Sequence, residues 1–169
     1  MARQMMDQRK LNFRLKEEGC IHSEKAFVLP AQWDSSKVEF IVADAGALPF
    51  RAGSFSCVAS LNLIDKIAHP LGHIAEASRT ARPVQAQLLI SDPFSWSEAV
   101  CAPDRWLGGA PGGRFAGAGI DNIARLLSGE DRPGSPAWKI ARRGEVWWKI
   151  RNHRNHFELI RSLFAKAER

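Results

Sequence analysis

"VEFIVADAGALPFRAGSFSCVASL", residues 38–61, is the stretch whose reading decides the fold. Val38 to Ala43 is a short apolar run that stops at an acid, Asp44. A turn containing Leu48-Pro49-Phe50 follows, and Gly53-Ser54-Phe55 leads into a second run, Ser54 to Leu61. The pattern predicts two strands, the second apolar on both faces, as a buried parallel strand is. Downstream, His73 to Ala81 reads as a helix with Ile74, Ala77 and Ala81 on one side, and Gln87 to Ser91 as a third strand ending at Asp92-Pro93. Strand, turn, strand, helix, strand is an α/β pattern. In open parallel sheets a ligand sits beyond the carboxyl ends of the strands, and Asp44 stands at such an end.

Working outward, residues 3–18 read as a helix, with Leu11 and Leu15 at i, i+4 and Gly19 as its stop. Val28 to Ser36 reads as a loop around Pro30. After the third strand comes a Gly-rich loop, Gly108 to Gly119, and then a helix from Ile120 to Ser128 whose stripe is Ile120, Ile123 and Leu127. Asp131 to Pro136 reads as a turn-rich connection. Trp138 to Ile140 and Val146 to Ile150 flank Arg143-Gly144 as a closing hairpin, and Phe157 to Lys166 reads as a last helix. The expected organisation is one domain over 1–169: an N-terminal helix and loop (1–37), a core (38–97), a Gly-rich loop and helix (98–137), and a basic hairpin and helix (138–169).

A chain of 169 residues suits one domain with a real core. No run approaches the roughly 20 apolar residues of a bilayer span, and the first ten residues are not a signal peptide, so a cytoplasmic protein without a membrane partner is expected. Cys20, Cys57 and Cys101 lie at wide, unpatterned spacing, which reads as reduced, buried thiols. The net charge is +6, and residues 138–169 carry nine Lys or Arg against three Glu, the whole excess. Such a segment either binds nucleic acid or an acidic partner, or is a solvated face.

The residues 38–83 followed by "AQLLISDPFSW" (86–96) resemble the central and later part of class I S-adenosylmethionine-dependent methyltransferases. The features are the acid after a strand, Leu-Pro-Phe, the Gly-Ser-Phe turn, a strand ending in Leu-Asn, and a helix with an acid and an Arg before the next strand. The resemblance implies a Rossmann-like α/β sheet and S-adenosylmethionine as cofactor. It implies that Asp44 accepts from the adenine amino group, that Ala45 donates its backbone N–H to the ring, and that Asn62 and Leu63 lie near the methionine. Asp65, Asp92 and Trp96 become candidates for the acceptor's pocket. The alternatives for these acids are ordinary ones: Asp44 caps its turn, Asp65 caps a helix or loop, and Asp92 before Pro93 starts a turn.

The same resemblance exposes what does not match. The family grips its cofactor with a first strand, a Gly-rich turn and an acid after the second strand, yet residues 1–43 hold one glycine, Gly19. Ser56 stands in place of the family's Asp, and Val84-Gln85 in place of Gly-Gly. The expectation is therefore a methyltransferase-like domain truncated at its N-terminus and impaired alone. Its strand 38–43, lacking the intended neighbours, would pair directly with the strand Ser54–Leu61, or with a second copy or partner chain. The rival expectation is a non-catalytic module that binds protein or RNA through the basic C-terminal segment. The loop 108–119 lacks the Lys-Ser/Thr of a phosphate loop and reads as a lid or linker. His153 and His156, placed on one helical face by this reading, find no third ligand, so no metal is expected.

Overall fold

In the computed structural model, which describes residues 2–130 and 137–169, the chain divides into two compact units. One unit comprises Met1–Val42 and Lys149–Leu159; the other comprises Ala43–Trp148 and Ile160–Arg169. The turn-rich connection expected at 131–136 lies outside the described residues.

The first unit opens with a short helix, α1 (Ala2–Gln8), and an antiparallel hairpin, β1 (Lys10–Glu18) and β2 (Ile21–Val28), in register from Lys10 opposite Val28. The helix expected over 3–18 is thus corrected to seven helical residues and a strand. Leu11 and Leu15 satisfy a helical spacing, but Leu11, Phe13, Leu15 and Glu17 also alternate, and these four are the half-buried positions of β1. Gly19 does not stop a helix; with φ +52° it makes the hairpin turn, a conformation glycine adopts at little cost. Arg9 fastens the following loop, its guanidinium donating to the carbonyls of Pro30 (2.7 Å) and Trp33 (3.1 Å).

The second unit is built on β3 (Cys57–Leu61), α2 (Pro70–Thr80) and β4 (Gln87–Asp92), with β3 and β4 parallel and paired from Cys57–Gln87 to Leu61–Ser91. This is the expected strand, helix, strand. After α3 (Gly119–Ser128) come β5 (Lys139–His153) and β6 (His156–Glu168), and the four-stranded sheet has the order β3-β4-β6-β5. Strand β6 runs antiparallel to β4, from Glu168 opposite Gln87 to Leu163 opposite Asp92. The core gathers Ile64, Ile74, Ala77, Leu88, Ile90, Leu107, Ile123, Leu127 and Trp138. α3 ends at Gly129, which takes the left-handed conformation expected of a helix stop.

Five more expectations are corrected. Val38 to Ala43 forms no strand. Val38, Phe40, Ile41 and Val42 are exposed, Val42 completely. β3 is the edge of the described sheet with its ladder to β4 alone, and an apolar run becomes a strand only where another strand pairs with it. Arg143-Gly144 is not a turn. It lies inside β5, and a Cβ on Gly144 would come within 2.9 Å of the Phe164 ring, so the glycine makes room for that ring. The turn is at 154–155, and Phe157 to Lys166 is a strand where a helix was expected, because pairing with β5 and, from Leu163 on, with β4 overrides the helical spacing of Phe157, Ile160 and Phe164. His153 and His156 accordingly flank a hairpin turn, not a helical face, with ring centroids 5.5 Å apart. The thiols are free, but Cys20 and Cys57 are exposed and Cys101 alone is buried.

Several charges of the basic segment are engaged within the fold. Arg151 pairs with Glu17 at 2.8 Å, Arg161 with Glu145 at 3.5 Å, Lys166 with Glu168 at 2.9 Å, and Arg143 with Asp121. Arg169 donates to the carbonyls of Ser78, Ala81 and Arg82, closing the carboxyl end of α2, with its guanidinium 4.1 Å from the Trp138 ring centroid. No described helix is long and apolar enough to cross a membrane.

Candidate functional site

Two structures meet at the carboxyl ends of β3 and β4. The first is the turn after Asp44. Asp44 is exposed, and its Oδ1 accepts from the Gly46 N–H at 2.8 Å, the self-capping geometry of an Asx turn. The turn is held by one face of α2. His73, buried, donates from Nδ1 to the Ala45 carbonyl (2.9 Å); with the proton there, Nε2 accepts from the buried Ser60 hydroxyl of β3 (2.8 Å). One turn on, Glu76 accepts from the Leu48 N–H at 2.9 Å. Arg79 donates to the carbonyls of Phe50 (2.8 Å) and Leu48 (3.1 Å) while gripping Glu76. Hydrogen bonding from Arg79 holds the Glu76 carboxyl below its ordinary pKa. Residues 73, 76 and 79 share a face because i, i+3 neighbours do.

The second structure is a pair of crossed straps. Asp92, at the end of β4, reaches back to the chain leaving β3: its Oδ2 accepts from the Ile64 N–H at 2.8 Å, and its Oδ1 from Phe94 at 2.8 Å. Asp65, after β3, reaches the chain leaving β4, its Oδ2 accepting from the Ser95 N–H at 2.7 Å and lying 3.2 Å from Lys66 Nζ. Both carboxylates are buried. Burial, countered in part by the Phe94 N–H and reinforced by the neighbouring Asp65, pushes the Asp92 carboxyl up to about 6. Asp65 Oδ1 and Trp96 Nε1 are buried without a hydrogen-bond partner among the described residues. Asn62, exposed and at φ +53°, donates its backbone N–H to the Ser91 carbonyl (2.7 Å) and accepts from the Ser162 hydroxyl (2.7 Å); Leu63 follows it, half-buried.

The structure therefore brings Asn62, Leu63, Asp65, Asp92 and Trp96 together at adjacent strand ends. It joins Asp44 and Ala45 to them through His73 and Ser60. His73, Ser60, Glu76 and Arg79 were not singled out in the sequence. The signal available was a His, an acid and an Arg at three-residue spacing on the helix that follows the apolar strand. Among the described residues no three metal-ligating side chains converge.

A parallel strand pair with a helix between them, ligand-type polar groups at the carboxyl ends, and an antiparallel β6 next to β4 define an α/β protein of the doubly wound, Rossmann-like class. A family described as "Methyltransferase domain" matches residues 18–86. The fold is similar to that of a SAM-dependent methyltransferase from Methanosarcina mazei, with 17% identity and a TM-score of 0.53, covering 82% of this chain and 70% of that one. A Pyrococcus horikoshii OT3 protein has 16% identity and a TM-score of 0.45, covering 79% of this chain and 60% of that one. No curated protein matches the chain. The family match spans residues 18–86, less than half of the chain, and the likeness to the Methanosarcina mazei structure is one of fold.

Proposed function

We propose that this chain supplies one wall of an S-adenosylmethionine-dependent methyl-transfer site. The observation that carries the proposal is the convergence of the clamped 44–50 turn and the Asp65–Asp92 straps at the ends of two parallel strands. These residues fit the adenine side of such a cofactor. Asp44 is an exposed acceptor whose Oδ1 already takes the Gly46 N–H, and His73 holds the Ala45 carbonyl and so the peptide that follows Ala45. Asn62 and Leu63 would border the methionine, and Asp65, Asp92 and Trp96 the acceptor.

The bound cofactor would supply a methyl group on a sulfonium, transferred in line to an acceptor lone pair. The chain's own part is positioning: the straps fix the backbone after both strands, so reactants meet a preset surface. Asp65 Oδ1, buried and without a hydrogen-bond partner among the described residues, is the group placed to take a hydrogen bond from that side.

The grip on ribose and methionine has no counterpart in residues 1–43. Their one glycine makes the β1–β2 turn, and the outer edge of β3 pairs with no other described strand. We infer weak cofactor binding by this chain alone. Calorimetric titration with S-adenosylhomocysteine is expected to give a dissociation constant of about 1 mM or weaker. Micromolar binding with one cofactor per chain would overturn the one-wall reading. Absence of any saturation-transfer signal from the adenine protons at about 10 mM ligand would overturn the cofactor reading itself.

A further inference from the structure

A cavity of about 490 Å³ opens beside the first turn of α2, bordered by the Gly-rich loop. None of the candidate residues above lines it, and its volume is that of a small-molecule site. Its walls are fixed before any ligand arrives. Trp106 donates from Nε1 to the Cys101 carbonyl at 2.8 Å, and its ring stacks on Trp96 with centroids 6.0 Å apart and planes 12° from parallel. The Gly-rich loop is pinned by Asn122 of α3, a buried side chain. Its Nδ2 shares its protons among the carbonyls of Leu107 (3.1 Å), Phe115 (3.0 Å) and Ala116 (3.2 Å). The loop also closes on itself, the Gly109 N–H donating to the Gly117 carbonyl (2.7 Å) and the Gly117 N–H to that of Ala110 (3.0 Å). A binding surface set in advance costs little to order.

These walls offer apolar surface with no surplus of either charge. Trp106 and Phe115 contribute rings, and Pro70, Leu71 and Pro103 contribute aliphatic surface. Among the ionisable side chains, Arg105 is balanced by Asp104, and its guanidinium donates to His69 Nδ1 at 3.4 Å. Arg114 is already partnered, and its guanidinium lies 4.9 Å from the Phe115 centroid. An ionised ligand entering here would give up water without meeting an unopposed counter-charge. An uncharged ring gives up little and gains contact with two aromatic side chains.

We propose that this cavity binds an uncharged planar ring system of one or two fused rings. The binding needs no cofactor and does not rest on the methyl-transfer reading.

The test is ligand-observed NMR titration of the full chain without S-adenosylmethionine, using indole, anionic indole-3-acetate and cationic tryptamine. The three share one ring system and differ in charge. Indole is expected to bind at least about tenfold more tightly than either ion, because burying a charge without a surplus partner is costly. Benzyl alcohol is expected to bind about threefold more tightly than cyclohexylmethanol, the gain that ring-on-ring contact adds to apolar burial. Gly112 lines the cavity, a Cβ there meets nothing within 4 Å, and its backbone is not left-handed. Gly112→Leu is therefore expected to keep the fold and exclude indole. Phe115→Leu is expected to weaken indole about threefold and to leave cyclohexylmethanol nearly unchanged. Indole bound no more tightly than either ion, benzyl alcohol no better than cyclohexylmethanol, no indole binding at about 10 mM, or indole affinity unchanged by Gly112→Leu would each overturn the proposal.

Discussion

Asp92→Asn tests the strap at the end of β4 through its pH dependence. The Asp92 carboxyl is raised from its ordinary 3.8 to about 6, chiefly by burial. A raised acid favours the fold in its protonated form. Its contribution is complete below pH 3.8 and is lost as pH rises through about 6. Two units at 1.36 kcal/mol each put the full loss at about 3 kcal/mol, of which about half falls between pH 5 and 7.5. Asparagine cannot ionise, so it escapes this loss. It has one carbonyl oxygen for two backbone donors, however, and leaving the other donor facing an amide N–H costs about 1–3 kcal/mol at every pH. Urea denaturation of both proteins from pH 4 to 7.5 should show the wild type ahead at low pH, with a gap that shrinks by about 2 kcal/mol as pH rises. Glu17, Asp34 and Glu76, all held below their ordinary pKa, cost stability as pH falls but do so equally in both proteins and cancel. A gap constant within about 0.5 kcal/mol over that range would refute the account of Asp92 as a carboxylate whose ionisation opposes folding.

Two further outcomes follow from named contacts. His73→Leu strands the Ser60 hydroxyl and the Ala45 carbonyl at a cost of about 2–4 kcal/mol. Amide exchange at Gly46 to Phe50 should accelerate more than at Leu88 to Ile90; equal acceleration would mean His73 supports only the core. Trp106→Phe breaks a bond to the Cys101 carbonyl, whereas Trp96→Phe removes a buried N–H that has no partner among the described residues. Trp106→Phe should therefore cost about 1 kcal/mol more by thermal denaturation, and the reverse order would show that Trp96 Nε1 has a partner.

The centre of the chain was legible because its signals are local. Ser54 to Leu61, the helix near 73–81 and Gln87 to Ser91 are each patterned by one period, and each formed with boundaries moved by a few residues. Both ends were misread for one reason. Leu11 and Leu15, and Phe157, Ile160 and Phe164, satisfy a helical spacing while their segments also satisfy strand pairing. Strand partners decide between the two: β2 for the first segment, and β5 together with β4 for the second. Of the candidate site, the acids at strand ends were visible as residue types. The direction of each carboxylate, across to the other strand's exit, was not, because it depends on β3 and β4 lying side by side. The cavity at Trp106 and Arg105 escaped notice because its residues come from three separate segments with no shared spacing.

The turn at 44–50 and the apolar run before it now part company. The run should have been a strand that delivers Asp44 to the sheet edge, yet it is unpaired and exposed. The turn is ordered by α2 instead, through three side chains and four backbone groups. The same helix packs Ile74 and Ala77 into the core, has its carboxyl end closed by Arg169, and lends its amino end to the cavity. Since α2 is fixed by the core, the 44–50 turn does not depend on the run from which it departs. Under the proposed function, a strand docking against the open edge of β3 would meet a turn already set, and the energy it brings would not go into ordering that turn.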